Sequence, residues 1–329
     1  MTLLGGANCL VTGGRGYIGT SLLRQLVPVA GRVRCLSRTE GTALLPPGVS
    51  DRVEWIVGDV RQRGDVERAM QDVDVVFHLA SQTSVYLADQ DPPADLDANV
   101  LPTLRLLEAG HASGRRPTIL LAGTATQVGL ASHLPVDESF PDAPVSIYDV
   151  HKLMSEQYLE YYARRGFVRG ATLRLANVYG PGPRSSKLER GVLNTMIRRA
   201  LAGEPLKLYG HGEFVRDYIY VEDVARAFVM AAGAPDAING RHFILSSGEA
   251  CTLRDAVHRV RDIVGERTGK PVRIEQVEPP SSLSPIESRH FVADVSALRR
   301  ALNFVPEVSL DEGIRRTMEA FSREQELRS

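Results

Sequence analysis

Tyr148 and Lys152 stand four apart in Tyr148-Asp149-Val150-His151-Lys152. That spacing puts two side chains on one helix face, about one turn from each other. A cation at that range favours the phenolate and lowers a phenol pKa of about 10 by roughly one to three units. The phenol then comes nearer to neutral pH, as a group that both donates and accepts a proton requires. The same ammonium can hydrogen-bond a nicotinamide ribose. Thr124, just past a strand candidate, brings a hydroxyl to the same sheet edge, where it can hydrogen-bond a substrate carbonyl beside Tyr148. Each of these residues has a plain alternative: a chance helical pair, a turn-forming threonine. Their order along the chain makes the set specific, because a glycine turn comes first.

That turn is Val11-Thr12-Gly13-Gly14-Arg15-Gly16-Tyr17-Ile18-Gly19-Thr20. An apolar run precedes it and the helix pattern Leu22, Leu23, Leu26 follows, so it reads as strand, tight turn, helix. Glycines there let the backbone approach a pyrophosphate, which sits on the free N–H groups and positive end of the helix. Gly13, Arg15, Gly16, Tyr17, Ile18 and Gly19 are therefore cofactor-binding candidates. The second strand ends at Leu36-Ser37-Arg38, and Ser37 lies 18 positions past Gly19. Dinucleotide folds place an acid near this point to hold the ribose hydroxyls, or an arginine to accommodate a 2′-phosphate. The acid is missing, and Arg38 and Arg15 are present, which favours NADP(H) over NAD(H). Asp59-Val60 follows the third strand, where a carboxylate can accept from an adenine amino group or simply form a turn. His78 reads as a packed core histidine, and Leu79 and the small Ala80 let backbone approach the cofactor.

The elements that must position these residues alternate in the first half. Strand candidates are Asn8–Thr12, Val33–Ser37, Val53–Val57, Val75–Leu79, Thr118–Ala122 and Ala171–Leu175. Helical stretches are Thr20–Val27, Gly64–Gln71, Ala94–His111 and Tyr148–Arg164. The alternation predicts a Rossmann-type α/β doubly wound parallel sheet whose ligands bind at the C-terminal strand edge. Residues 1–177 then form a cofactor domain, and 178–329 a smaller α/β substrate domain with some segments returning to the first. In the second part Gly191–Leu201 and Ala250–Val264 read as helices, the latter opened by Thr252. Glu278–Pro285 is turn-rich and is expected against or over a site, and Arg323–Ser329 is expected to fray.

The 329 residues are 43% apolar and 24% charged, with net charge −1. This is a globular composition with no bulk charge to favour nucleic acid or an anionic membrane. No apolar run approaches a membrane span, and no charged n-region precedes the first strand. Three cysteines are too few for a disulfide framework, and no His/Cys cluster has metal-ligand spacing. The expectation is a reduced, cytoplasmic protein that holds no metal.

With these residues in view, the chain resembles the extended short-chain dehydrogenase/reductase family in its nucleotide-sugar branch, over nearly its whole length. Thr12–Gly19 is similar to the family's cofactor turn, and Thr124, Tyr148 and Lys152 match its catalytic triad. Leu173-Arg174-Leu175-Ala176-Asn177-Val178-Tyr179-Gly180-Pro181-Gly182 resembles its junction segment, which implies that Asn177 meets a substrate diphosphate. Gly210–Val224 is similar to its sugar-nucleotide segment, implying a phosphate contact for Arg216, and Arg289 falls near a second such cation. The resemblance also implies a nucleoside-diphosphate sugar substrate. It further implies a homodimer, built from the 94–111 and 148–164 helices.

Departures from the family pattern discriminate among its reactions. Dehydratases carry an acidic pair directly after the catalytic hydroxyl; Ala125 and Thr126 stand here. Epimerase-reductases of the GDP-fucose synthase type carry a cysteine at the second of these positions. Two readings survive. Ser37, Arg38 and Arg15 favour an NADPH-dependent reductase of the C4 ketone of a nucleotide-linked 4-keto-6-deoxyhexose, and Arg190–Leu206 looks like such ketoreductases. The alternative is a 4-epimerase with tightly bound cofactor. A cofactor-binding sensor without turnover would generally lack the tyrosine or lysine, and a non-nucleotide substrate would leave Asn177 and Arg216 without a role.

Overall fold

A computed structural model describes residues 4–41, 45–183, 191–279 and 284–326. The chain begins β1 (Leu4–Thr12), α1 (Tyr17–Leu26), β2 (Ala30–Ser37), α2 (Pro47–Ser50), β3 (Val53–Val57), α3 (Arg63–Ala69) and β4 (Val75–His78). It continues α4 (Val85–Gln90), α5 (Pro92–Ala112), β5 (Thr118–Thr124), α6 (Ile147–Arg164) and β6 (Arg169–Leu175). After β7 (Asn177–Tyr179) come α7 (Val192–Leu201), β8 (Leu206–Tyr209), β9 (Val215–Arg216), β10 (Tyr218–Tyr220), α8 (Val221–Gly233), α9 (Pro235–Ile238) and β11 (Arg241–Leu245). The last elements are β12 (Cys251–Thr252), α10 (Leu253–Thr268), β13 (Ile274–Val277), α11 (Ser296–Leu302) and α12 (Leu310–Glu326).

Seven strands form one sheet in the order β11-β6-β5-β4-β1-β2-β3, and every pairing is parallel. Helices cover both faces, so the central strands are apolar without alternation. Cys9, Leu10 and Val11 of β1 are all buried. On one face Leu22, Leu23 and Leu26 of α1 pack with Ala227, Phe228 and Ala231 of α8. On the other, Val66 of α3, Leu106 and Leu107 of α5 and Leu159 of α6 close over Leu10, Val76 and Ile119. A separate core joins Leu193 and Ile197 of α7, Val257, Val260 and Val264 of α10, and Ile314 and Met318 of α12. No helix among the described residues is long and apolar enough to cross a membrane.

The structure departs from the expected elements where local pattern and long-range pairing diverge. β1 starts at Leu4, with an irregular register between Leu4 and Asn8 at glycines that carry no strand signal. α1 starts inside the glycine turn at Tyr17. The expected helix at Ala250 begins only at Leu253, because Cys251 and Thr252 pair antiparallel with β9; Thr252 caps it, accepting from the Asp255 N–H at 3.0 Å. α12 is helical to Glu326 rather than frayed from Arg323. Arg190, residues 280–283 of the turn-rich segment and residues 327–329 lie outside the described residues. β11 and α8, unanticipated, complete the main sheet and one of its covering layers.

Candidate active site

The β1–α1 turn is compressed against the end of β4. Gly13 has φ +74°, and a Cβ there would sit 2.6 Å from the Ala80 nitrogen. A Cβ on Gly19 would sit 2.2 Å from the Gly13 carbonyl oxygen. Only glycine permits either contact. Gly16 is the N-cap of α1 with no side-chain cap, and the first turn holds no acid. The N–H groups at this helix end are therefore presented to an anion. Thr12 is buried beneath the turn; its Oγ1 lies 2.7 Å from His78 Nδ1 and accepts from the Ala80 N–H at 3.3 Å. Burial, with the Lys152 charge behind it, pushes His78 down to about 3, so it is a neutral packed residue.

A cleft of about 760 Å³ runs along this edge. Gly13, Arg15, Gly16, Tyr17, Ile18, Gly19, Ser37, Arg38, Asp59, Val60, Leu79 and Ala80 all line it. Thus every cofactor-binding candidate outside α6 reaches one wall. Arg15 and Arg38 are exposed at its rim. Arg61, overlooked in sequence, also lines the cleft and grips Asp59 with contacts of 2.7 and 3.1 Å. The Arg61 hydrogen bond holds the Asp59 carboxyl below its ordinary range, with Arg38 contributing. Asp59 thus meets any adenine amine already engaged by a guanidinium. Tyr17 bridges the cleft: its hydroxyl donates to the Gly180 carbonyl at 2.9 Å and accepts from Asn194 Nδ2 at 3.2 Å.

Thr124, Tyr148 and Lys152 do not form the wall of that cleft but stand next to it. Thr124 ends β5 and caps the 3₁₀ turn Ala125–Val128. Tyr148 opens α6, whose N-cap Ser146 accepts from the Asp149 N–H at 3.2 Å. Lys152 is buried one turn on, and burial pushes it down to about 8 against the opposing pull of Asp95 and Glu156. The link to the cleft is a polar network on α5. His151 Nδ1 lies 2.7 Å from Asp95 Oδ2. Asp95 Oδ1 accepts from Gln82 Nε2 at 2.7 Å and Asn99 Nδ2 at 3.0 Å, and Ser81 donates to Asn99 Oδ1 at 2.6 Å. Ser81 and Gln82 line the cleft. His151 was visible inside the motif, but its partners lie more than fifty positions away.

The substrate candidates form a second constellation. Asn177 Nδ2 donates to the Asp217 carbonyl at 3.0 Å, and Arg289 Nη2 donates to Asn177 Oδ1 at 3.1 Å. Arg216 donates to the Arg289 carbonyl, and to the Glu287 carbonyl at 2.6 Å. Among the described residues each guanidinium hydrogen-bonds carbonyls or an amide and no carboxylate, while Glu287 acts on both and Asp149 on Arg289 through space. Burial, then the neighbouring Arg289, lowers Arg216 to about 10, and burial lowers Arg289. Both remain cations at neutral pH, as arginines do. The 3₁₀ turn Pro285–Ser288, which follows the turn-rich segment, supplies the carbonyls of Ile286 and Glu287 that aim this pair.

The chain is similar to known proteins over nearly its whole length. A family model described as the NAD dependent epimerase/dehydratase family matches residues 9–246. The UDP-glucose 4-epimerase of Mycolicibacterium smegmatis is 32% identical over 317 residues, covering 95% of this chain and 97% of that protein. The crystal structure of UDP-glucose 4-epimerase from Thermotoga maritima with UDP-glucose is 28% identical with a TM-score of 0.84, covering 97% of this chain and 99% of that one. The Thermus thermophilus UDP-glucose 4-epimerase complex with NAD is 30% identical with a TM-score of 0.81, covering 96% and 99%.

Proposed function

From the premise that this chain belongs to the NAD dependent epimerase/dehydratase family, we propose that it inverts the C4 centre of a nucleoside-diphosphate hexose through a transient 4-ketone. One observation carries the reading: the chain keeps Thr124, Tyr148 and Lys152 and has Ala125 and Thr126 where a dehydratase needs acids. Full-length likeness to 4-epimerases supports it and shifts weight from the ketoreductase favoured in sequence. The glycine turn and uncapped α1 fit a dinucleotide pyrophosphate. A bound nicotinamide would supply hydride removal from C4 and its return.

The protein's own groups do the rest. Tyr148 takes the proton of the C4 hydroxyl and later gives it back to the ketone oxygen. Lys152, as ammonium, lowers the cost of the phenolate and holds the cofactor ribose. Thr124 hydrogen-bonds the same C4 oxygen. Inversion needs hydride returned to the opposite face of the ring, so the sugar must turn while its anchor stays fixed. Arg216, Arg289 and Asn177 suit that anchor, since guanidinium forks bind diphosphate with charge-assisted bonds.

Arg15, Ser37 and Arg38 sustain the second reading, an NADPH-consuming 4-ketoreductase. Proton NMR of UDP- and dTDP-hexoses incubated with the protein and catalytic NAD⁺ or NADP⁺ separates the two. A new C4 epimer without net cofactor change supports the epimerase. Stoichiometric NADPH loss on a 4-ketosugar, with no epimer formed, overturns it. For cofactor choice, Arg15→Ala with Arg38→Ala is expected to erase a preference for NADPH in fluorescence titration; an unchanged ratio removes the case for the 2′-phosphate. A homodimer remains part of this reading, supported by the exposed apolar face of α6 at Val150, Tyr158 and Tyr161.

A further inference from the structure

Behind Thr124 lies a chain of hydroxyls ending on a carboxyl to which no role has been given. Thr124 Oγ1 and Thr126 Oγ1 are 2.7 Å apart. Thr126 Oγ1 donates to Asp149 Oδ1, and Ser146 Oγ donates to Asp149 Oδ2 at 2.7 Å. Asp149, the residue after Tyr148, is fully buried.

Proton counting gives this chain a direction, because a hydroxyl has one proton to donate. With Asp149 ionised, both its oxygens accept. Thr126 has then spent its proton, so the contact between the threonines uses the proton of Thr124. Thr124 Oγ1 also accepts from the Thr126 N–H at 3.3 Å. A substrate oxygen would meet only a lone pair, which suits a C4 hydroxyl that donates but not a ketone that needs a donor. With a proton on Asp149 Oδ1 the chain reverses. Asp149 donates to Thr126, Thr126 to Thr124, and the Thr124 proton is free to turn towards the substrate.

We propose that Asp149, acting through Thr126, is a positioning residue whose protonation state decides whether Thr124 accepts from or donates to the C4 oxygen. This rests on the nucleotide-sugar reading above. Burial raises the Asp149 pKa, its hydrogen bonds to Thr126 and Ser146 lower it, Arg289 lowers it and Asp89 of α4 raises it. Other charged groups on the packed elements are already engaged: Asp95 of α5 by His151, and Arg174 of β6 by Glu156. Tyr148, His151 and Lys152 share its helix, and the 3₁₀ turn brings only the neutral residues 125–128. Asp149 therefore sits where the state of the active site can tip it.

The test pairs a substrate-free readout with a kinetic one. Infrared difference spectra across a pH titration, with Asp149→Asn to assign the band, follow the Asp149 carboxyl. Thr126→Val removes its hydroxyl partner, and Thr126→Ser keeps it. The carboxyl band and its midpoint are expected to shift in Thr126→Val and to stay in Thr126→Ser. Single-turnover reduction of a nucleoside-diphosphate 4-ketohexose by bound reduced cofactor should slow as pH rises through that midpoint. Thr126→Val and Asp149→Asn should flatten this limb, and Thr126→Val should lower the rate on the order of tenfold, a fraction of the loss of a whole donor. KM and cofactor affinity should not move, and Thr126→Ser should restore rate and limb. A Thr126→Val protein with unchanged band and pH profile overturns the proposal, as does a wild type with no titrating Asp149 band. A wild type inert towards nucleotide sugars defeats the functional reading instead, and the infrared arm then decides the switch alone.

Discussion

Tyr148→Phe removes a single oxygen and leaves the ring, α6 and the cofactor cleft in place. Turnover should fall by roughly two to four orders of magnitude, the worth of a positioned acid–base group. Cofactor affinity measured by calorimetry should be retained, and undiminished turnover would remove Tyr148 from the chemistry. Lys152 gives a prediction that needs no substrate. Its pKa is about 8 in the fold against an ordinary 10.5. Below pH 8 both states hold the proton and the fold bears the cost of a buried ammonium. Between about 8 and 10.5 the unfolded chain holds more protons than the native one, so stability rises with pH. The stability difference between wild type and Lys152→Met in urea unfolding should therefore grow in favour of wild type across that window, by on the order of 3 kcal/mol. A flat difference would show that the ammonium is solvated. At this scale the sequence was most legible where chemistry depends on local spacing, as in Gly13–Gly19 or Tyr148 and Lys152. Asp95, Asn99 and Asp149 were silent because their roles come from partners brought together only by folding.

The helix that carries Tyr148 and Lys152 is fastened from below by charge. Arg174 on β6 is 1% exposed and Glu156 on α6 is 2% exposed. Arg174 Nε donates to Glu156 Oε2 at 3.0 Å, and its two terminal nitrogens reach Asp142 at 2.8 and 2.9 Å. Removing one partner of such a pair strands the other charge, at a cost of about 3–5 kcal/mol. Because Asp142 still holds Arg174, Glu156→Leu should lose no more than about 3 kcal/mol in denaturant unfolding, while Glu156→Leu with Arg174→Met should recover part of it. Equal losses for the single and double variants would show that the pair is not acting as a unit. Arg174 and Glu156 lie 18 positions apart, and neither stands out in a chain that is 24% charged. The parallel strands of the first half could be anticipated from their apolar runs. β11 could not, because its place depends on pairing with β6, whose sequence lies some seventy positions earlier.

At the scale of the molecule, two features matter beyond the cleft. On α6, Tyr161 is 51% and Tyr158 37% exposed, and on α4 Leu87 is 51% exposed. If this face joins two copies, Tyr161→Arg should convert a dimer to a monomer in light scattering while Tyr148 and Lys152 stay in place. An unchanged mass would put the interface elsewhere. The second feature is the path of the chain. It leaves the seven-stranded sheet after β6, returns to contribute α8 and β11, and leaves again for β12 and α10. The sequence led us to expect a division near residue 177 with some later segments returning, but its short apolar runs did not single out α8 and β11 as those segments. A graft of residues 178–329 from a relative would carry off an edge strand and a covering helix of the cofactor-binding layer. The portion we propose to hold a sugar nucleotide is therefore not an exchangeable cassette. New substrate preferences in a lineage built this way are expected to arise by point changes around Asn177, Arg216 and Arg289, not by shuffling of whole units.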